Sequence, residues 1–188
     1  HTAIPSGAPL ARWLNIRNVC VGFLLLSLFT YPEAWLGWGS FISRDFGLFG
    51  YPLAHYHRES FWNGEIPLWN PLNFCGLPFL AQWNTMVLYP PSLIYLLLPL
   101  PWALTFFCLV HQLLGGIGMF LLGRRWSCSA LGGVVAGVVF MFNGLTQNAL
   151  MWPNNIAALG LLPWVILLTD RASEEGGRLV VVAALVGG

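Results

Sequence analysis

Asp45 is the carboxylate best set for chemistry, because it follows Arg44 and stands a few residues beyond an apolar stretch ending in Trp35, Trp38 and Phe41. A partly desolvated carboxylate at a membrane surface can take a proton from an incoming hydroxyl. A surface ion pair with Arg44 or a helix cap would use the same residues. Ten positions on, His55-Tyr56-His57-Arg58-Glu59 gathers two imidazoles, a guanidinium and a carboxylate. Histidines two apart fall on different sides of a helix, whereas chelation on a helix wants a spacing of four, so no metal ligands are assigned. Arg58 offers a planar fork that fits phosphate oxygens, or else pairs with a neighbouring acid. His55 and Glu59 flank it as candidate substrate contacts.

Trp69 and Asn70, with Gln82, Trp83 and Asn84, add aromatic faces and amides, a combination that suits sugar hydroxyls or lipid headgroups. Tryptophans also serve as plain interface anchors. His111-Gln112, Asn143, Gln147 and Asn148 are polar residues inside apolar runs, where a functional role competes with interhelical hydrogen bonding.

The elements that carry these residues read as membrane helices. Of 188 residues, 57% are hydrophobic and 8% charged, far from the roughly 25% charged residues of a soluble domain. Mean hydropathy is +0.69. A formal net charge of +1, with arginine as the only basic residue besides histidine, supplies no basic surface for nucleic acid. The four cysteines show no C-x-x-C spacing and suggest neither disulfide nor metal chemistry.

A span needs about 20 apolar residues. Stretches 16–38, 102–123, 129–150 and 154–169 approach that length, and another from residue 179 is cut off at 188. The chain therefore reads as the N-terminal part of a longer membrane domain. The expected fold class is all-α, a polytopic transmembrane helix bundle with a long extracytoplasmic first loop, 39–101, containing interfacial helices. Segment 85–98 is the awkward piece, apolar enough to span but opened by Pro90-Pro91. If it lies in the interface, Arg12, Arg17, Arg124, Arg125, Arg171 and Arg178 are all cytoplasmic and only Arg44 and Arg58 lie outside, the distribution the positive-inside rule favours.

Within the loop, Pro52 opens a helix and Asn63-Gly64 closes it. Leu53, Tyr56, Ser60 and Phe61 are expected on its buried face, with His55, Arg58, Glu59 and Trp62 over the rest. Residues 65–73 should form an extended strap, since Ile66-Pro67 and Asn70-Pro71 turn the residues before each proline away from helix. Glycine runs at 115–118 and 132–137 indicate close helix packing.

Arg44-Asp45, Tyr51-Pro52, Gly64-Glu65-Ile66-Pro67-Leu68-Trp69-Asn70-Pro71, Gly76-Leu77-Pro78-Phe79, Tyr89-Pro90-Pro91 and Leu98-Pro99 together resemble the N-terminal region of bacterial YfhO-like membrane proteins. His111 to Met119, Phe142-Asn143-Gly144 and Leu162-Pro163-Trp164 continue the likeness, which covers about residues 40–171. That family is similar to the GT-C membrane glycosyltransferases. The resemblance implies a multi-pass protein of the bacterial cytoplasmic (inner) membrane that moves a sugar from a polyprenyl-phosphate donor to a cell-envelope acceptor. It also implies that Asp45 is the catalytic base, since those enzymes carry an acidic residue in the first extracytoplasmic loop. The chain has a single Asp where the commoner pattern has an acidic pair, which leaves a divalent metal optional as cofactor. The expected partners are the lipid bilayer, the polyprenyl-phosphate-linked sugar and the acceptor. A non-enzymatic transporter or flippase for a lipid-linked or small solute is the alternative, and a structural scaffold a third reading.

Overall fold

A computed structural model describes residues 14–41, 45–73, 75–175 and 177–187. Among the described residues the fold is all-α apart from one ladder of two-residue strands. Helix α1 (Ile16–Thr30) opens on Asn15, whose side chain accepts the Asn18 amide at 2.9 Å. It ends at Tyr31, which precedes Pro32 and is therefore driven out of the helical region. A short α2 (Pro32–Leu36) follows and closes on Gly37 in the left-handed conformation, φ 79°. A side chain at Gly37 would also meet the Trp102 ring at 3.3 Å.

A π-helical turn (Phe46–Gly50) leads directly into α3 (Tyr51–Trp62). Pro52 takes the second position of α3 and does not open it, because the helix runs on unbroken from the π-helical turn; its end before Gly64 at φ 76° is the one the sequence signals. Its buried face differs from the one expected. Leu53, Ala54, His57 and Ser60 are buried, while Tyr56 and Phe61 are half-buried. The helix is rotated so that its small residue, Ala54, and flat ring, His57, meet the core, which lets its backbone come closer than Tyr56 would permit.

The strap pairs β1 (Trp69–Asn70) with β2 (Leu77–Pro78) in an antiparallel ladder, Trp69 opposite Pro78 and Asn70 opposite Leu77. Pro90-Pro91 then opens a 3-10 turn (Pro90–Leu93) continued by α4 (Ile94–Leu97). Leu98 is extended before Pro99 and ends it. This helical piece is about 14 Å long, too short to cross a hydrocarbon core of about 30 Å.

Helix α5 (Leu100–Ser127) is the centre of the molecule, with α6 (Ala130–Phe142) and α8 (Pro153–Glu175) packed along it. The apolar stretch 129–150 is not one helix. Asn143 turns its side chain back to accept the Thr146 amide at 3.0 Å, ending α6 and capping the separate α7 (Gly144–Ala149). Helix α9 (Arg178–Gly187) lies against α8. Among the described residues, two helices, α5 and α8, are long and apolar enough to cross a membrane.

Glycines set the contact distances. A Cβ at Gly133 would stand 2.6 Å from the Phe120 carbonyl oxygen, and one at Gly160 would stand 2.4 Å from that of His111. These are backbone-to-helix contacts that no larger residue permits. Gly160 beside His111, the Trp164 indole donating to the Leu114 carbonyl at 2.8 Å, and Arg125 paired with Asp170 and Glu174 fix α5 and α8 as parallel. Both helices therefore begin at the same end of the molecule. That end receives α3, the strap and α4, while the opposite end holds the arginine and carboxylate network.

Candidate functional site

Aromatic packing builds the approach to Asp45. Tyr31 and Phe41 meet edge-on at 5.6 Å between ring centroids, and Phe41 meets Phe46 likewise at 6.3 Å. Phe46 is buried, so Asp45 is carried on the rim of this cluster at the head of the π-helical turn, itself half-buried. Its side chain makes no capping bond, and no hydrogen bond or ion pair joins it to another described residue. Arg44 lies outside the described residues. One turn further on, Phe49 packs on Trp152 at 5.7 Å and Gly50 stands 3.6 Å, Cβ position to Cδ, from Pro153. This seats the turn on the first residues of α8.

Phe49 and Gly50 wall a cavity of about 10 Å³ that Asn84, Tyr95, Trp152 and Asn154 also line, room for about one water molecule. Asp45 does not line it. The Asn84 amide oxygen and the Tyr95 hydroxyl are buried without a hydrogen-bond partner among the described residues. Burial raises the Tyr95 phenol well above its usual range.

Arg58 acts as a tie. Its Nη1 donates to the carbonyls of Leu98 at 3.1 Å and Tyr95 at 3.4 Å, and the guanidinium lies 4.6 Å from the Trp62 ring. The acid beside it pairs elsewhere: Glu59 faces His55 at 4.0 Å across one turn. Asn70 is buried, and its Oδ1 accepts the Leu72 amide at 2.9 Å, an Asx turn that shapes the strap. Trp69 is exposed on one side and covers Gly76 on the other, where any Cβ would lie 2.5 Å from the ring. Its carbonyl accepts the Tyr56 hydroxyl at 2.8 Å, fastening the strap to α3. Gln82 contributes its backbone carbonyl to Thr85 at 2.8 Å.

Thus Trp69 and Asn70 sit together in the ladder, His55 and Glu59 on the outer face of α3, and Asn84 in the cavity wall. No hydrogen bond or ion pair joins any of them to Asp45. Among the described residues no group of three His, Cys, Asp or Glu side chains comes together as a metal site.

Two groups escaped sequence reasoning. His57 is fully buried between Phe61 and Tyr95, with ring centroids at 5.0 and 5.9 Å, and neither ring nitrogen has a partner among the described residues. Burial lowers its pKa from 6.5 to about 4. The unfolded chain therefore takes up a proton between pH 6.5 and 4 that the folded chain refuses, so stability falls as pH drops through that window. The full effect is about 3 kcal/mol. Thermal unfolding in detergent at pH 7.5 and 4.5 should show a loss that is smaller in His57→Leu; an identical loss in both proteins would contradict this.

The second is Tyr89, whose hydroxyl meets His111 Nε2 at 2.7 Å. His111 Nδ1 meets the Phe107 carbonyl at 2.7 Å. A carbonyl only accepts, so Nδ1 carries the hydrogen, Nε2 is the acceptor, and Tyr89 donates to it. His111 thus bonds to a loop and to its own helix, not to a neighbouring helix. Gln112 and Gln147 do join helices, both donating to the Met141 carbonyl at 2.8 Å. The sequence signals only that Tyr89 is extended before Pro90-Pro91, which fixes its backbone and not the direction of its ring.

Compared with family models, with curated proteins and with solved structures, the chain matches none.

Proposed function

We propose that this chain is part of a membrane glycosyltransferase of the bacterial inner membrane, moving a sugar from a polyprenyl-phosphate donor to an extracytoplasmic cell-envelope acceptor. The observation that carries the reading is Asp45: a half-buried carboxylate, unpaired among the described residues, at the end of the molecule where both long apolar helices begin. Membrane residence is supported by apolar side chains turned outward on the surrounding helices. Phe29 on α1, Val139 on α6 and Leu185 on α9 are 86%, 60% and 78% exposed, a surface that suits lipid better than water.

In this reading Asp45 takes the proton of the acceptor hydroxyl as that oxygen attacks the anomeric carbon. The bond from that carbon to the phosphate oxygen breaks, and the lipid phosphate leaves with the electron pair. Arg58, already fixed by the Leu98 and Tyr95 carbonyls, offers positive charge to the leaving phosphate. Trp69 and Trp83, both exposed, supply faces on which a sugar ring can stack.

The polar end must then face outward. Cys75 in the strap and Cys128 after α5 are both exposed and stand at opposite ends of the bundle. With the other cysteines replaced, an impermeant maleimide should label Cys75 in intact spheroplasts and Cys128 only after permeabilisation. The reverse pattern would overturn the orientation and with it an external Asp45.

A further inference from the structure

We infer that the end of the bundle opposite Asp45 binds anionic phospholipids, through a set of arginines that the fold leaves without protein partners. This rests on the membrane residence proposed above and not on sugar transfer.

Four helices bring arginines to that end. Helices α5 and α8 run parallel and carry Arg124, Arg125 and Arg171 in their last turns, and α9 starts on Arg178. Helix α1 runs the other way: Trp35, beyond its end, meets Phe106 edge-on at 5.5 Å, while Phe23 lies 3.5 Å from the Cβ position of Gly116. Its first turn, with Arg17, therefore belongs to the arginine end.

Carboxylates do not balance this group. Asp170 and Glu174 both pair with Arg125, which leaves Glu175 as the one other acid at this end among the described residues. No ion pair or hydrogen bond joins the side chains of Arg17, Arg124, Arg171 or Arg178 to another described residue, and all four residues are exposed. Residues 1–13, which lead into α1, hold Arg12 and no carboxylate, so they bring no counter-charge. The opposite end has the reverse balance, with Glu33, Asp45, Glu59 and Glu65 against Arg58 among the described residues.

The arginines stand at the level of lipid phosphates. From Leu100 to Arg124 is about 36 Å of helix, just beyond a hydrocarbon core of about 30 Å. Exposed apolar side chains adjoin them: Ile16 and Val21 flank Arg17, Trp126 follows Arg124, and Val180 follows Arg178. A guanidinium so close to lipid-facing side chains reaches the phosphate layer of its own leaflet, and an exposed indole beside it suits the same interface. A soluble acidic partner would have to press against the bilayer to meet the same groups. Each guanidinium offers a planar fork to phosphate oxygens. Phosphatidylcholine carries its own cation, whereas phosphatidylglycerol leaves its phosphate charge for the protein to meet.

Two native cysteines, exposed at opposite ends of the bundle, read the lipid on each side. The purified chain, with a fluorophore on Cys128 or on Cys75 and the other cysteines replaced, is reconstituted in vesicles containing brominated phosphatidylglycerol or brominated phosphatidylcholine at equal mole fraction, and quenching gives the relative association of the two lipids. Phosphatidylglycerol should be favoured about fivefold at Cys128, the equivalent of about 1 kcal/mol for one arginine at an anionic surface, and not at all at Cys75. Arg124→Gln, Arg171→Gln and Arg178→Gln together should bring the Cys128 ratio close to one, with Arg125 left in place so that the pairing of α5 with α8 is kept. Lysine at the same three positions retains the charge and should keep most of the preference. Equal quenching by the two lipids at Cys128, the same preference at Cys75, or a preference that survives the triple glutamine variant would each overturn the site. Quenching at neither cysteine by either lipid would remove membrane residence itself and the site with it, whereas a loss of sugar transfer alone would leave the lipid preference standing.

Discussion

Asp45→Asn should lower sugar transfer by roughly two to four orders of magnitude. The substitution keeps the size and hydrogen-bonding reach of the side chain and removes its capacity to hold a proton. The same change should alter stability by no more than about 0.5 kcal/mol, because the carboxylate caps no helix and has no ion pair among the described residues. Structural and chemical roles therefore predict different results. Membranes matched for protein level by blotting, supplied with labelled polyprenyl-phosphate sugar, give the comparison, and Glu65→Gln in the exposed strap serves as a control that should retain activity. Full transfer by the Asn variant would remove Asp45 from the mechanism, whatever its position.

Gly160→Leu should be the most damaging single change to the fold. At this position a Cβ would lie 2.4 Å from the His111 carbonyl oxygen and 3.1 Å from its carbon, so the obstruction is helix backbone that no rotamer change can relieve. Accommodating even a methyl group means moving α8 off α5, and that shift would pull Trp164 away from the Leu114 carbonyl and Asp170 away from Arg125. The expected loss is on the order of 3 kcal/mol. Gly22→Ala on α1 is the contrasting case: nothing lies within 4 Å of its Cβ position, so the substitution should be neutral or stabilising through helix propensity. Melting of the two variants in detergent, side by side, would contradict the packing account if Gly160→Leu melted with the wild type.

What the sequence disclosed, and what it hid, divides by the range of the physics. Proline and glycine act on their own neighbours, so the end of α3 before Gly64 and the brevity of the helix after Pro90-Pro91 were both legible, whereas the helical turn that precedes Pro52 was not. The capacity of Asn143 to break an apolar run is equally local, but hydropathy averages over it, and two short helices were read as one. The rotation of α3 was hidden for another reason. Which face is buried depends on how closely α4 and α5 approach, and that distance rewarded Ala54 and His57 over the more apolar Tyr56 and Phe61. Asn70 and Arg58 carry the same lesson for sites. Each has a side chain suited to a ligand, yet the folded chain turns Asn70 to the Leu72 amide and the Arg58 Nη1 to two carbonyls. No residue type announces such partners, because they arrive from 2 to 40 positions away in the chain. The Tyr89–His111 bond, 22 positions apart, belongs with them.

The central claim is that the polar end of this bundle transfers a sugar, and reconstitution decides it most directly. The purified protein is placed in liposomes with polyprenyl-phosphate carrying a labelled sugar, and cell-envelope acceptor is supplied outside. The account predicts that the label leaves the lipid and becomes covalently attached to the acceptor, at a rate that Asp45→Asn abolishes. Label that crosses the bilayer still attached to its lipid, or that never leaves it, would contradict the claim; crossing would make the protein a transporter.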